Sequence, residues 1–349
     1  MSPRGRCAKL AAMTGATDRP QRGSLPIADY GLLSDCSSAA LVATDGSIDW
    51  LCLPRFDSAA VLARILDPEA GHWSIRPLAP FTSERRYLPG TLVLETTFTT
   101  DSGTVRLLDA MAFAEGQRRH DLGFDSPHEL LRSVEGASGT VELAMELGPR
   151  PEYGLVRPLF RREDTGGHVF GATPMAIRAG VPLEIEDATM RASFTLGSGE
   201  RAGFSLRWAP PDTRRPPLPS APEHVAERIE DTAEAWRSWE AEHDIYEGPH
   251  RDQVRLSTRV LKGLSYRPTG AIVAAPTTSL PETVGGERNW DYRFAWIRDS
   301  SLTIEALYIG ACSDEAEEFV SFMTSAAGGR SGEGSLQIMY GIGGEHDLS

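Results

Sequence analysis

Ala39-Ala-Leu-Val-Ala-Thr-Asp-Gly-Ser-Ile-Asp-Trp-Leu-Cys-Leu53 sets the architecture of the first half of the chain. Two apolar runs flank Asp45-Gly46, a dipeptide that tolerates the positive φ angles of a type I′ turn, so a two-residue hairpin is expected. Its register pairs Thr44 with Ser47 and Ala39 with Cys52. Cys36 then lies three residues beyond the cross-strand partner of Cys52, so the hairpin does not bring the two sulfurs together, and buried free thiols are expected.

The same rhythm runs outward from the hairpin. Thr91 to Phe98, a turn at Asp101-Ser-Gly103 and Thr104 to Ala110 repeat it. Glu129 to Val134, Thr140 to Leu147, Thr189 to Leu196 and Gly203 to Trp208 are further strand candidates separated by turn residues. Many short strands at this spacing predict an antiparallel β-sandwich over residues 25–209. Pro149 to Pro182 breaks any period, with Gly166-Gly167 and several prolines inside it. Gly197-Ser-Gly-Glu-Arg-Ala202 satisfies a loose dinucleotide pattern, GxGxxA. The alternating Gly203 to Trp208 follows it instead of a helix, so it reads as a hairpin loop.

Six prolines at 210, 211, 216, 217, 219 and 222 remove backbone donors and stop regular structure, which makes 210–222 a linker. Ser220-Ala-Pro-Glu223 then matches a capping box, and Val225, Ile229, Ala233 and Trp236 mark one helical face. A second helix is predicted from His250 to Tyr266, carrying Val254, Leu261 and Leu264. Two more follow, about Ser300 to Gly310 and Asp314 to Ala326, joined at Ala311 to Ser313. In the last, Ala316, Phe319, Val320, Met323 and Ala327 form the expected buried stripe. Residues 223–349 therefore read as helical hairpins behind a β domain.

Composition narrows the function. The 349 residues carry 35 basic and 49 acidic side chains, a formal charge of −14, which disfavours nucleic acid and anionic membrane as partners and suits a neutral or cationic ligand. Lys9 and Lys262 are the only lysines, and neither follows a glycine, so a GxxxxGK phosphate loop cannot be written. Cysteines 7, 36, 52 and 312 contain no CxxC pair, and the eight histidines show no HxxxH spacing, so no protein-built metal site is expected. Residues 1–24 lack the apolar core of a signal peptide and read as a disordered tail. No stretch approaches the roughly 18 apolar residues of a membrane helix. A cytoplasmic protein is the expectation, and no sequence feature specifies an oligomeric state.

Glu287-Arg-Asn-Trp-Asp-Tyr-Arg-Phe-Ala-Trp-Ile-Arg-Asp299 concentrates charged and aromatic side chains in a segment leading into a helix. Sugar sites need this mixture, because hydroxyls demand directed hydrogen bonds while the C–H face of the ring stacks on an apolar plane. Arg298 offers a planar fork of donors and Asp299 two acceptor oxygens, together suited to a pair of vicinal hydroxyls. An ion-pair network at a helix start with core aromatics fits the same residues.

Ile27 to Ser58, Ala274-Ala-Pro-Thr-Thr-Ser-Leu-Pro-Glu282, Glu287 to Asp299 and Leu336-Gln-Ile-Met-Tyr-Gly341 stand in the order in which matching segments occur in bacterial glycoside hydrolases of family 15. The chain resembles these glucoamylases, glucodextranases and actinobacterial trehalases from about residue 25 to its end, least between 150 and 220. The resemblance implies an N-terminal β-sandwich, a linker and an (α/α)6 toroid that cleaves α-glucosidic bonds with inversion and needs no cofactor. By position, it implies that Tyr292 stacks near the anomeric carbon, Trp296 walls the pocket, and Arg298 with Asp299 binds the hydroxyls farthest from the scissile bond. Asn289, Trp290 and Arg293 share that motif. The implied partner is a neutral glucosyl saccharide, either trehalose or a malto- or isomalto-oligosaccharide.

Inversion needs a general acid and a general base roughly 6.5–9.5 Å apart. In this family both are glutamates on later toroid loops, beyond the position matching Ser349. Glu282, Glu287, Asp291, Asp299 and Glu305 match neither, so no catalytic residue is assigned and 223–349 is expected to be a truncated toroid. Its apolar side chains Leu302, Ile304, Leu307, Ile309, Phe319, Val320, Phe322 and Met323 are expected to lose packing partners. Each one left exposed forfeits about 1.5–3 kcal/mol against a net stability of roughly 5–15 kcal/mol. A helical part poorly stable alone follows. The alternatives are a non-catalytic carbohydrate-binding or interaction protein and an inactive truncated gene product.

Overall fold

The structure, a computed structural model, describes residues 25–348 except 164, 212–216, 279, 284–285, 311 and 329–335. The tail 1–24, Pro216 of the linker and Ala311 lie outside the described residues. Among the described residues, fifteen strands precede the α-helices. They are β1 (Tyr30–Ser34), β2 (Ala39–Ala43), β3 (Ser47–Cys52), β4 (Ala60–Leu62), β5 (His72–Pro77), β6 (Thr82–Tyr87), β7 (Leu94–Thr100), β8 (Gly103–Met111), β9 (Glu129–Gly148), β10 (Leu159–Glu163), β11 (Gly166–Phe170), β12 (Met175–Ala179), β13 (Glu184–Glu186), β14 (Thr189–Gly197) and β15 (Arg201–Trp208).

The two strands predicted at 129–134 and 140–147 are one 20-residue strand, β9, which organises the whole region. Its first half pairs with β8 and β15, and its second half with β5 and β14, all antiparallel. β9 thus belongs to two sheets, and the side chains of both meet in one core that includes Ile48, Trp73, Leu143 and Met190 with Phe98, Leu107, Phe204 and Leu206. The unreadable stretch 149–182 contributes β10, β11 and β12, the outer edge beyond β15.

The opening hairpin forms with a different turn. Only Gly46 has positive φ, +76°, and its N–H donates to Ala43 O at 3.0 Å, so the turn centres on Thr44-Asp45 with Gly46 in the left-handed position. A three-residue loop of this kind carries its extra residue as a bulge. The register slips between Leu41 and Val42, and beyond it Ala40 faces Leu51 and Leu41 faces Trp50, the predicted pairing. The tertiary reason is close packing: a Cβ on Gly46 would lie 2.6 Å from Ile75 O. The GxGxxA stretch is a loop between strands, as read, but not a hairpin, because β14 and β15 pair with opposite halves of β9 and not with each other.

The helices are α1 (Pro222–His243) and α2 (Arg251–Gly263), followed by the short strands β16 (Ser265–Tyr266), β17 (Ala271–Ile272) and β18 (Ala295–Trp296), then α3 (Ile297–Ile309), α4 (Ser313–Gly328) and β19 (Met339–Tyr340). Ser220 does not cap α1. The N-cap is Ala221 and Pro222 opens the helix, where its missing N–H costs no bond and its fixed φ is already helical. Val225, Ile229 and Ala233 pack on Val93, Ala110, Ala112 and Leu131 of the β region, while Trp236 and Trp239 join the core of the other helices. α1 therefore joins a small cluster on the β region to a larger one that the other helices share with Cys36, Phe56 and Phe113.

α2 ends at Gly263, three residues before the predicted limit, and Ser265-Tyr266 turns into a strand against Ala271-Ile272. Its buried positions are Thr258, Arg259, Lys262 and Gly263, polar where an apolar face was expected, with Leu261 and Leu264 only half-buried. Arg259 pairs with Glu240 and Lys262 with Glu315, which is how the face is tolerated. In α4 the buried stripe is Ala316, Phe319, Phe322 and Ala326, with Val320 49% exposed, so the stripe lies a step round from the predicted one. Of the side chains expected to lose partners, Leu302, Ile309 and Val320 are exposed. Leu307, Phe319 and Phe322 are buried in the helical core, and Ile304 and Met323 partly so.

Candidate sugar-binding site

Four segments far apart in the chain meet at the start of α3. Residues 274–282 run antiparallel to 288–294, with Ala274 N donating to Phe294 O at 3.2 Å, Ala275 N to Tyr292 O at 2.9 Å and Glu282 N to Arg288 O at 3.0 Å. β18 pairs with β19, so Ala295 faces Tyr340 and Trp296 faces Met339. The β region joins them through Trp50, whose indole N–H donates to Pro276 O at 2.7 Å.

Arg293 is the tie between these parts. It is 4% exposed. Its Nε and Nη2 donate to the Asp291 carboxylate, its Nη1 to Ser58 O at 2.7 Å and its Nη2 to Tyr153 Oη at 2.8 Å. Burial opposes its charge, but Asp291 and the neighbouring Cys52 and Tyr153 hold the guanidinium protonated beyond its ordinary range. With donors on Asp291, Ser58 and Tyr153, Arg293 ties the motif to the loop after β3. Sequence reasoning did not find Tyr153, which lies in the stretch without a period and has positive φ, 58°.

The remaining motif residues grade outward from this anchor. Trp296 is the N-cap of α3, and its indole N–H donates to Asp291 O at 2.9 Å. Tyr292 lies beside it, ring centroids 5.9 Å apart and planes at 34°, so two half-buried aromatic faces stand together. Arg298 and Asp299 sit in the first turn of α3, with Arg298 Nη2 3.1 Å from Asp299 Oδ2. Arg298 reaches solvent, Asp299 is half-buried, and Asn289 and Trp290 are exposed. The helix N-terminus favours the Asp299 carboxylate by its dipole. The arrangement can stack a pyranose on Tyr292 and Trp296 and offer hydroxyls a donor fork and an acceptor pair. Asp291 is held by Arg293 and Asp299 by Arg298, while exposed Glu282 faces Arg288 at 3.8 Å.

Cys36, Cys52 and Cys312 are buried free thiols. Burial pushes Cys36 and Cys52 up to about 12, partly offset by Lys262 and Arg293 respectively, which favours their thiol form. No helix among the described residues is long and apolar enough to cross a membrane.

A β region is thus pinned to a helical one, with an aromatic and charged motif at their junction. The family model for the trehalase-like N-terminal region matches residues 21–196, about half of the chain, and that for glycosyl hydrolases family 15 matches residues 248–349. The chain belongs to the trehalase-like glycosyl hydrolases of family 15. It is 39% identical over 346 residues to a trehalase of Mycolicibacterium smegmatis, covering 93% of this chain and 51% of that one. It is 37% identical over 359 residues to a trehalase of Mycobacterium tuberculosis, covering 97% and 52%. A bacterial glucoamylase solved in complex with acarbose shares the fold at a TM-score of 0.60 and 12% identity, covering 90% of this chain and 52% of that one. The chain spans about half the length of the curated relatives it matches.

Proposed function

We propose that this chain forms the β-sandwich and the non-reducing glucose subsite of an inverting α-glucosidase acting on trehalose or malto- or isomalto-oligosaccharides. Its proposed organisation is a sandwich over 25–209, a linker over 210–222 and the opening helices of an (α/α)6 toroid over 223–349. The observation that supports the reading is that the segment bearing Tyr292 and Trp296 pairs with Ala274-Ala275 and with β19 and is tied to the β region through Trp50–Pro276 and Arg293–Ser58. Tyr292 and Trp296 take the ring face, and Arg298 with Asp299 takes two adjacent hydroxyls, exchanging their mutual pair for bonds to sugar.

The motif's carboxylates Asp291, Asp299 and Glu282 each face an arginine, which suits positioning and not proton transfer. We therefore place the general acid and base in the half of the relatives that this chain does not span, and binding without hydrolysis is the activity expected of these 349 residues alone. The buried unpaired thiols fit a reducing, cytoplasmic setting.

Titrating the chain with glucose and with trehalose while following tryptophan fluorescence tests the subsite. A saturable change is expected, lost in Asp299→Ala and kept in Ile309→Ala, an exposed position at the far end of α3. No response, or one unchanged by Asp299→Ala, sinks the subsite. Glucose release from trehalose or maltose by this chain alone would overturn the placement of the acid and base while leaving the subsite standing.

A further inference from the structure

Away from the sugar motif, a second polar cluster joins the β region to the helices. His120 lies on the single helical turn Arg119–Asp121 between β8 and β9, His243 is the last residue of α1, and Glu315 is in the first turn of α4. One donor atom from each lies within 4.8 Å of the other two. His243 Nδ1 is 2.7 Å from Trp239 O, an acceptor only, so Nδ1 carries a hydrogen and Nε2 is the nitrogen left for a ligand. That Nε2 is 3.6 Å from Glu315 Oε2. His120 Nδ1 is 3.2 Å from Asp314 Oδ2.

Glu315 is 4% exposed. Its Oε1 accepts from the Trp239 indole at 2.8 Å and lies 3.1 Å from Lys262 Nζ. Its Oε2 is buried with no hydrogen-bond partner among the described residues. A buried carboxylate oxygen without a hydrogen bond, beside the His243 imidazole and within ligand reach of His120, has room in its donor set for a cation.

From this geometry we propose a site for a divalent transition metal of the zinc class, held by His120, His243 and Glu315, that clamps the β8–β9 loop to α1 and α4. Two imidazoles and one carboxylate are a known zinc donor set, with bonds of about 2.0–2.2 Å. Such ligands sit roughly 3.3 Å apart around the ion, close to the present His243–Glu315 spacing, and exposed His120 has room to close the rest. Each histidine already carries at Nδ1 the carbonyl or carboxylate that orients a metal-bound ring, and Lys262 holds the other Glu315 oxygen in place. The three ligands come from positions 120, 243 and 315, so a search for closely spaced histidines and cysteines passes over them.

Tag-free chain stripped with chelator and titrated with Zn2+ by calorimetry is expected to take up one ion. Co2+ is expected to give the visible bands of a four-coordinate site, and Zn2+ to raise the melting temperature. His120→Ala, a surface change whose folding is checked by circular dichroism, should abolish all three responses. Asp314→Asn should weaken Zn2+ binding about ten- to a hundredfold. Absence of stoichiometric uptake, or uptake and Co2+ spectra identical in wild type and folded His120→Ala, overturns the site.

Discussion

Two buried charge pairs, one in each region, are built to opposite standards. In the β region, fully buried Arg132 donates Nε and Nη2 to both oxygens of Asp109, Nη1 to Trp73 O at 2.7 Å and Nη2 to Gly46 O at 2.6 Å, with its guanidinium over the Trp73 ring at 5.1 Å. In the helical region, Lys262 and Trp239 satisfy one oxygen of Glu315 and leave the other without a hydrogen bond. A closed network of the first kind fixes a core, here locking the opening hairpin to β5, β8 and β9. The open one keeps coordinating capacity in reserve, at a cost to stability that a ligand can repay.

The largest effect expected from this difference is in the closed pair. Asp109→Ala strands a buried guanidinium and should cost about 3–5 kcal/mol in denaturant unfolding. Lys262→Met should cost about 1–3 kcal/mol, because the Trp239 N–H still donates to the same Glu315 oxygen. Equal losses would show that the open network is as tightly determined as the closed one.

Acid sharpens the comparison. Burial alone would raise Glu315, but the Lys262 ammonium, the Trp239 N–H and His243 bring it down from 4.5 to about 2. A depressed carboxylate contributes stability that is complete above the unfolded value and fades as pH falls through the folded one. The stability difference between wild type and Glu315→Gln should therefore hold above about pH 4.5 and shrink toward pH 2, followed as urea midpoints. A difference constant across that window would remove Glu315 as the titrating group.

The smallest effects belong to the exposed apolar side chains of the helical region. Leu302, Ile309 and Val320 are 65%, 57% and 49% exposed. Replacing each with serine should move stability by no more than about 0.5 kcal/mol. A loss of 2 kcal/mol or more, roughly that of a buried methyl-rich side chain, would mean that these residues are packed in solution.

The β region was largely legible because alternation and turn residues are local signals. Its misreadings were tertiary: Gly46 is shaped by its approach to Ile75, and residues 129–148 cross between sheets without a break. The helical stripe was shifted because Phe322 and Val320 both satisfy an apolar pattern, and only the neighbouring elements choose between them. Within the sugar motif, the residue types were plain and the division of labour was not. Arg293 and Arg298 are equivalent as letters, yet one is buried against Ser58 and Tyr153 and the other reaches solvent.

The sequence by itself determined the family, the β-then-helix order and the candidate sugar-binding residues, because these rest on short-range pattern and motif order along the chain. Tertiary structure alone decided that Arg293 is an anchor, that β9 serves two sheets, and that His120, His243 and Glu315 share one cluster. Each of these depends on distances between residues tens to hundreds of positions apart, which packing of the two cores sets and chain spacing does not encode.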